Sequence, residues 1–216
     1  DGHAFLRPDQ IEREIDTLLT MQGRILKSVS FTDYWISLSL RDPNNKKAYL
    51  GDDQVWEIAQ RTMEDILKRK KIKYKSIEGE AAFYGPKMDL IAKDSIGREW
   101  QLSTIQLDFN MPKRFGLEYT DEQGVKQTPV MIHRAFMGST ERFLGVLIEH
   151  FAGAFPVWLS PVQVYVAPVG KAHYASARKL GKILSAEGMR VEVDEARETV
   201  PYKVRKAEKQ KIPYVL

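Results

Sequence analysis

The sequence predicts an α+β chain: helices flanking a β-rich middle with an antiparallel hairpin over residues 1–160, then an unfinished parallel α/β unit over residues 161–216. Three observations carry this. Apolar residues recur at helical spacing in stretches that flank a β-rich middle. Within that middle, the turn signal DSIG joins two strand-like runs into an antiparallel hairpin. Beyond Ser160 the pattern changes to strand, helix, strand, helix, strand, the order of a parallel α/β unit.

Pro8 sits where a helix can begin, and Ile11, Ile15, Leu18, Leu19, Gln22, Ile25 and Leu26 share one face, so Asp9 to Lys27 reads as an amphipathic helix. From Phe31 to Leu40 alternation puts Tyr34, Ile36, Leu38 and Leu40 on one side of a strand. Asp52 or Asp53 caps a second helix with the stripe Val55, Ile58, Ala59, Met63, Ile66 and Leu67. The hairpin runs are Phe83 to Lys93 and Glu99 to Phe109. In the second, Thr104, Gln106 and Asp108 form a polar stripe, which is either a solvent-facing surface or the floor of a polar site. Thr128 to Met137 reads as a strand that breaks at Gly138-Ser139 into a helix carrying Phe143, Leu144, Leu147, Ile148 and Phe151. Pro156 and Pro161 bracket a connector, after which VQVYVAPV, a helix near Lys171 to Glu187, RVEVD, YKVRKAEKQ and IPYVL follow. A last residue inside a core strand predicts a fragment.

The 216 residues, 43% of them apolar and 10% aromatic, suffice for one or two packed domains. No run approaches the roughly 18 consecutive apolar residues of a membrane span, and DGHAFLRPDQ lacks the layout of a signal peptide, so a cytoplasmic protein with no membrane partner is expected. Zero cysteines exclude a disulfide framework and a thiolate metal site built within this chain alone. The net charge of +4 is uneven: residues 171–216 hold 11 Lys and Arg against 6 Asp and Glu. Such a surplus suits a phosphate backbone or an ordinary solvated helix face.

Three groups could carry chemistry. At Gly138-Ser139-Thr140-Glu141-Arg142 a strand breaks into a helix, and free N–H groups plus an early arginine suit an anion, although a plain capped helix has the same sequence. Among the four histidines, His133 lies on a strand beside Arg134; no HxH or HxxxH pair exists, so a metal site needs distant residues brought together. Around Gly85-Pro86, a tyrosine hydroxyl, Lys87 and Asp89 surround what is otherwise an ordinary β-turn.

Read as strings, EGEAAFYGPKMD, WQLSTIQLDFNMP and PVMIHRAFMGSTERFLGVLIEHFAGAFPVWLSPVQV resemble, in order, the second half of the catalytic domain of the threonyl-tRNA synthetases, a class II aminoacyl-tRNA synthetase family. The resemblance covers essentially the whole chain. It implies a class II antiparallel sheet with flanking helices over residues 1–160, and the first part of an α/β anticodon-binding domain over residues 161–216. The implied activity is ATP-dependent ligation of threonine to its tRNA through threonyl-adenylate, with Mg2+ accompanying ATP.

By resemblance, His3 and His133 are two ligands of a zinc ion whose cysteine ligand lies upstream of Asp1. Asp1, Tyr84 and Gln106 line the threonine pocket, Gln101 and Thr104 lie by the ATP, and Arg142 is the catalytic arginine that neutralises phosphate charge. Arg197, Lys203 and Arg205 stand where anticodon contacts are expected, although Arg197 and Pro201 replace residues more usual in the family. The resemblance also implies a homodimer as the full-length protein, and a fragment inactive by itself. The competing expectation is a non-catalytic, synthetase-like tRNA-binding or regulatory module.

Overall fold

The computed structural model describes residues 2–216; Asp1 lies outside the described residues. Two compact units follow one another, dividing between Phe143 and Leu144.

The first unit is built on a six-stranded sheet of spatial order β1-β8-β5-β4-β2-β3, from β1 (Gly2–Leu6), β2 (Tyr34–Leu40), β3 (Tyr74–Glu78), β4 (Lys87–Lys93), β5 (Glu99–Asp108) and β8 (Val130–Ala135). All neighbours pair antiparallel except β2 with β3, which is parallel. A small hairpin, β6 (Tyr119–Thr120) with β7 (Lys126–Gln127), and a single turn of helix, α3 (Met111–Arg114), lie between β5 and β8.

Helices α1 (Ile11–Ser28) and α2 (Asp53–Arg69) arise where the apolar spacing predicts them. Pro8 opens a short 3-10 turn that leads into α1. Asp52 caps α2 by accepting from Gln54 N at 2.7 Å, supplying a partner for one of the helix's orphan donors. One expected member of the α2 stripe differs: Ile58 is exposed, and Trp56 is buried in its place, its indole N–H donating to Leu50 O. Ile15, Leu38, Met63, Leu67, Leu107 and Ile132 are essentially sealed from water, each contributing about 1.5–3 kcal/mol of burial.

The two faces of the sheet have different chemistry. Ile36, Leu38, Met88, Leu90, Ile105 and Leu107 share one face, and α1 lies on that side, since Gln22 of α1 bonds Ser103 of β5. The other face carries the polar residues of β5. Strands β1 and β3 were not expected from the sequence; both are edge strands with polar or exposed positions, so neither has a strong alternating pattern.

Helix α4 (Thr140–Phe151) begins in the first unit and continues into the second. The second unit has a parallel three-stranded sheet, order β10-β9-β11, from β9 (Val164–Val166), β10 (Val191–Val193) and β11 (Tyr214–Val215). Helices α5 (Tyr174–Ala186) and α6 (Val200–Lys209) alternate with the strands, the order the sequence predicts. Packed against the sheet are two small apolar clusters, centred on Val164, Val166 and Ala177 and on Tyr165, Ala167 and Ala207.

Candidate active site

On the polar face, strand register assembles what sequence spacing cannot. His3 pairs with His133, His133 with Gln106, Gln106 with Lys87, and Lys87 with Ser39. Directly paired residues point to the same face, so five strands present one polar row. The neighbouring row holds Ser37, Asp89, Thr104 and Ala135.

At one end of the first row the His3 and His133 rings stand edge to face, centroids 4.7 Å apart. His133 Nε2 lies 2.9 Å from Oδ2 of Asp108, whose side chain is fully buried and whose Oδ1 accepts from Asn110 N and Met111 N. A cavity of about 680 Å³ opens here, lined by the two histidines, Tyr84 and apolar side chains such as Met111 and Met131. Tyr84 donates to Gln106 Oε1 at 2.9 Å. Burial raises the Tyr84 pKa, and the nearby Asp108 carboxylate adds to the rise.

Gln106 Nε2 is a buried amide nitrogen with no hydrogen-bond partner among the described residues. An orphan donor of this kind costs about 1–3 kcal/mol unless something accepts from it.

Farther along the face, Asp89 gathers three side chains. Its Oδ1 accepts from Gln101 Nε2 at 2.8 Å and Thr104 Oγ at 2.6 Å, and its Oδ2 from Lys87 Nζ at 2.5 Å. Gln101 and Thr104 are three residues apart, which would put them on opposite faces of a regular strand. A β-bulge against Leu90 and Ile91 inserts Leu102 and turns Gln101 to the site face. Gly138, at φ +54, lets the chain pass the bulge: a Cβ there would lie 3.1 Å from Leu102 O. The helix that follows starts as expected, with Ser139 Oγ accepting from Arg142 N, and Arg142 Nη1 donates to Gln101 O at 3.3 Å. Gly85 is required for a different reason, since any Cβ would collide with Leu107 O.

The family described as tRNA synthetase class II core domain (G, H, P, S and T) matches residues 1–151. The chain belongs to that class II core family. An anticodon binding domain matches residues 163–216. Among similar proteins are the threonine–tRNA ligases of Acidobacterium capsulatum, 50% identical over all 216 residues and covered to 32% of its length, and of Thermus thermophilus, 44% identical and covered to 33%. The chain thus spans about a third of the length of the curated relatives it matches. Among solved structures, the RNA binding domain of threonyl-tRNA synthetase from Cryptosporidium parvum Iowa II superposes with a TM-score of 0.91 at 34% identity, over 99% of this chain and 53% of that one.

Within this class II core, the structure brings together His3 with His133, Tyr84 with Gln106, and Gln101 with Thr104 on Asp89, Arg142 reaching only the Gln101 carbonyl. Asp1 lies outside the described residues. Among the described residues no group of three His, Cys, Asp or Glu side chains is arranged to hold a metal. Sequence reasoning missed Asp108 as the partner of His133, although it shares the polar stripe of Gln106. Lys87 and Asp89, singled out in the sequence beside the Gly85-Pro86 turn, lie on β4 and face this site.

In the anticodon-binding unit Arg197 and Arg205 are exposed, whereas Lys203 is not. Lys203 is 1% exposed, and its ammonium donates to Asp194 O at 2.7 Å and Pro168 O at 3.2 Å. The cation expected at the anticodon interface is thus buried and held by two carbonyls beyond the ends of β9 and β10. Nearby, Tyr165 donates to Asp194, with Lys206 3.4 Å away. Burial first, then the Asp194 bond, pushes the Tyr165 hydroxyl up to about 12. Burial of Asp194 would raise its pKa, but bonds from Tyr165 and Ala196 N and the Lys206 charge outweigh it and the carboxyl is lowered.

Among the described residues no helix is long and apolar enough to cross a membrane.

Proposed function

We propose that this chain supplies the second half of the active site of a threonine–tRNA ligase, which activates threonine with ATP and transfers it to the terminal adenosine of its tRNA. The observation that carries the reading is the Gln106 Nε2, without a partner among the described residues, on an amide held by Tyr84 beside paired histidines and a cavity with ample room for an amino acid.

Threonine enters the cavity of His3, Tyr84 and His133. Gln106 Nε2 donates to it, and Asp1 accepts from its hydroxyl. The donor set fits zinc as an incomplete site: two imidazoles side by side, with a third protein ligand, a cysteine, contributed from outside this cysteine-free sequence. Asp108 sits on Nε2 of His133, so Nδ1 would be the nitrogen left to hold a metal, with Asp108 as the usual carboxylate support of such a ligand. A bound zinc would take the amino and hydroxyl groups of threonine as further ligands, so valine, lacking the hydroxyl, would be rejected.

ATP, with Mg2+, lies along Gln101 and Thr104. The Arg142 guanidinium, at the start of α4 and braced on the Gln101 carbonyl, stabilises charge as pyrophosphate departs. Residues 161–216 bind the anticodon arm of threonine tRNA, with Arg197 and Arg205 reaching the RNA and Lys203 fixing the loops that present them. The connector between Pro156 and Pro161 leads from the class II core, matched over residues 1–151, into this domain, matched from residue 163. The full-length protein acts as a cytoplasmic homodimer.

The test is charging of threonine tRNA with labelled threonine by the full-length protein. Arg142→Ala is expected to reduce kcat by about 100-fold or more. Wild-type charging no greater than background contradicts the proposal.

A further inference from the structure

We infer that Asp89 is the positioning residue that couples the two halves of this site, holding Lys87 between the threonine end and the ATP end of the sheet face. The inference rests on the synthetase reading above. Asp89 is 4% exposed and its carboxylate is occupied on both oxygens, by Gln101 and Thr104 on Oδ1 and by Lys87 on Oδ2. A group so enclosed does not itself meet substrate. It acts through the three it holds.

Those three belong to different neighbourhoods. Gln101 leads to Arg142 through its carbonyl, and Thr104 lies in the same row as Asp89. Lys87 stands in the other row, next to Gln106 and two strands from His133. The adenylate that joins threonine to the α-phosphate must span both rows, and Lys87 is the cation at the seam. Its side chain is 23% exposed, so it reaches the open face while one N–H remains tied to the buried carboxylate. Without that tie a four-carbon stem samples many rotamers, and the ammonium is no longer fixed where phosphate charge develops.

Asn is the informative replacement. Its Oδ1 still accepts from Gln101 and Thr104, but its NH2 faces the Lys87 ammonium, donor against donor, and expels it. The experiment is a double-mutant cycle on threonine-dependent ATP–pyrophosphate exchange in the full-length protein, comparing Asp89→Asn, Lys87→Met and the pair. Asp89→Asn is expected to lower kcat/KM about 30-fold with Lys87 present and less than about threefold in the Lys87→Met background. A merely structural carboxylate gives the same loss in both backgrounds and overturns the inference, as does a wild-type rate in Asp89→Asn. Should Asp89→Asn fail to fold, Asp89→Glu keeps the charge but displaces it, and its loss must likewise vanish when Lys87 is Met. Wild-type protein without exchange overturns both this inference and the synthetase reading; exchange with additive losses overturns the inference alone.

Discussion

Tyr84 donates its hydroxyl hydrogen to Gln106 Oε1 at 2.9 Å, and this one bond sets the direction of the Gln106 amide, whose Nε2 has no partner among the described residues. If that nitrogen is a threonine donor, Tyr84→Phe frees the amide to turn and raises KM for threonine about tenfold, the equivalent of one ordinary hydrogen bond. Gln106→Leu lowers kcat/KM for threonine by about 100-fold or more, with KM for ATP nearly unchanged. Steady-state ATP–pyrophosphate exchange in the full-length protein measures both, and threonine kinetics indifferent to either substitution would remove Gln106 from the pocket.

The pairing of His3 and His133 makes a prediction about metal content. His133→Ala in the full-length protein is expected to abolish zinc retention through dialysis, and Asp108→Asn to weaken zinc affinity by about tenfold or more through its hold on Nε2. Metal analysis decides it: a full equivalent of zinc in His133→Ala rules out this ligand.

The β4–β5 turn is held by Asp94, which accepts from Ile96 N, Arg98 N, Arg98 Nε and Trp100 Nε1. Burial opposes ionisation of this carboxyl, but the bonds from Trp100 and Arg98 outweigh it and hold the group well below the ordinary carboxylate range. A depressed carboxyl contributes stability above its unfolded pKa and loses it as pH falls toward the folded value. Asp94→Asn should therefore lower the thermal midpoint by about 5 °C at pH 7, and the gap to wild type should narrow below about pH 4. Calorimetry at the two pH values checks the sign.

In the second unit the sign is reversed. Tyr165, pushed up to about 12, contributes stability that is complete below pH 10 and lost as pH rises through 12. Lys206, also raised, titrates in the same direction. Tyr165→Phe is expected to be less stable than wild type at neutral pH, because Asp194 loses a buried donor, and to show a shallower decline of the thermal midpoint between about pH 10 and 12. Parallel declines would show that Tyr165 is not the titrating group.

How much of this was legible in the sequence depended on the range of the cause. Helix α1 was, because Ile15, Leu18, Leu19 and Leu26 encode its buried face locally. So was the polar stripe of β5, because alternation is a property of one strand. The rows across the sheet were not: whether Lys87 meets Gln106 depends on the register of two strands, and register is fixed by packing and turns rather than by either strand alone. The bulge that brings Gln101 beside Thr104 left no sequence mark, and the resemblance to known synthetases, not the spacing, named both. Lys203 shows the opposite limit. A lysine on a basic helix reads as solvent-facing, yet a long apolar stem lets it enter a core wherever carbonyls, here those of Pro168 and Asp194, receive the charge.

The central claim is that this face of the sheet recognises threonine by its hydroxyl. Threonine-dependent against valine-dependent ATP–pyrophosphate exchange in the full-length protein tests it most directly. The account predicts kcat/KM for threonine above that for valine by about 10⁴-fold, the discrimination of a site built to bind a hydroxyl. Equal activation of the two amino acids, or none of threonine, would contradict it.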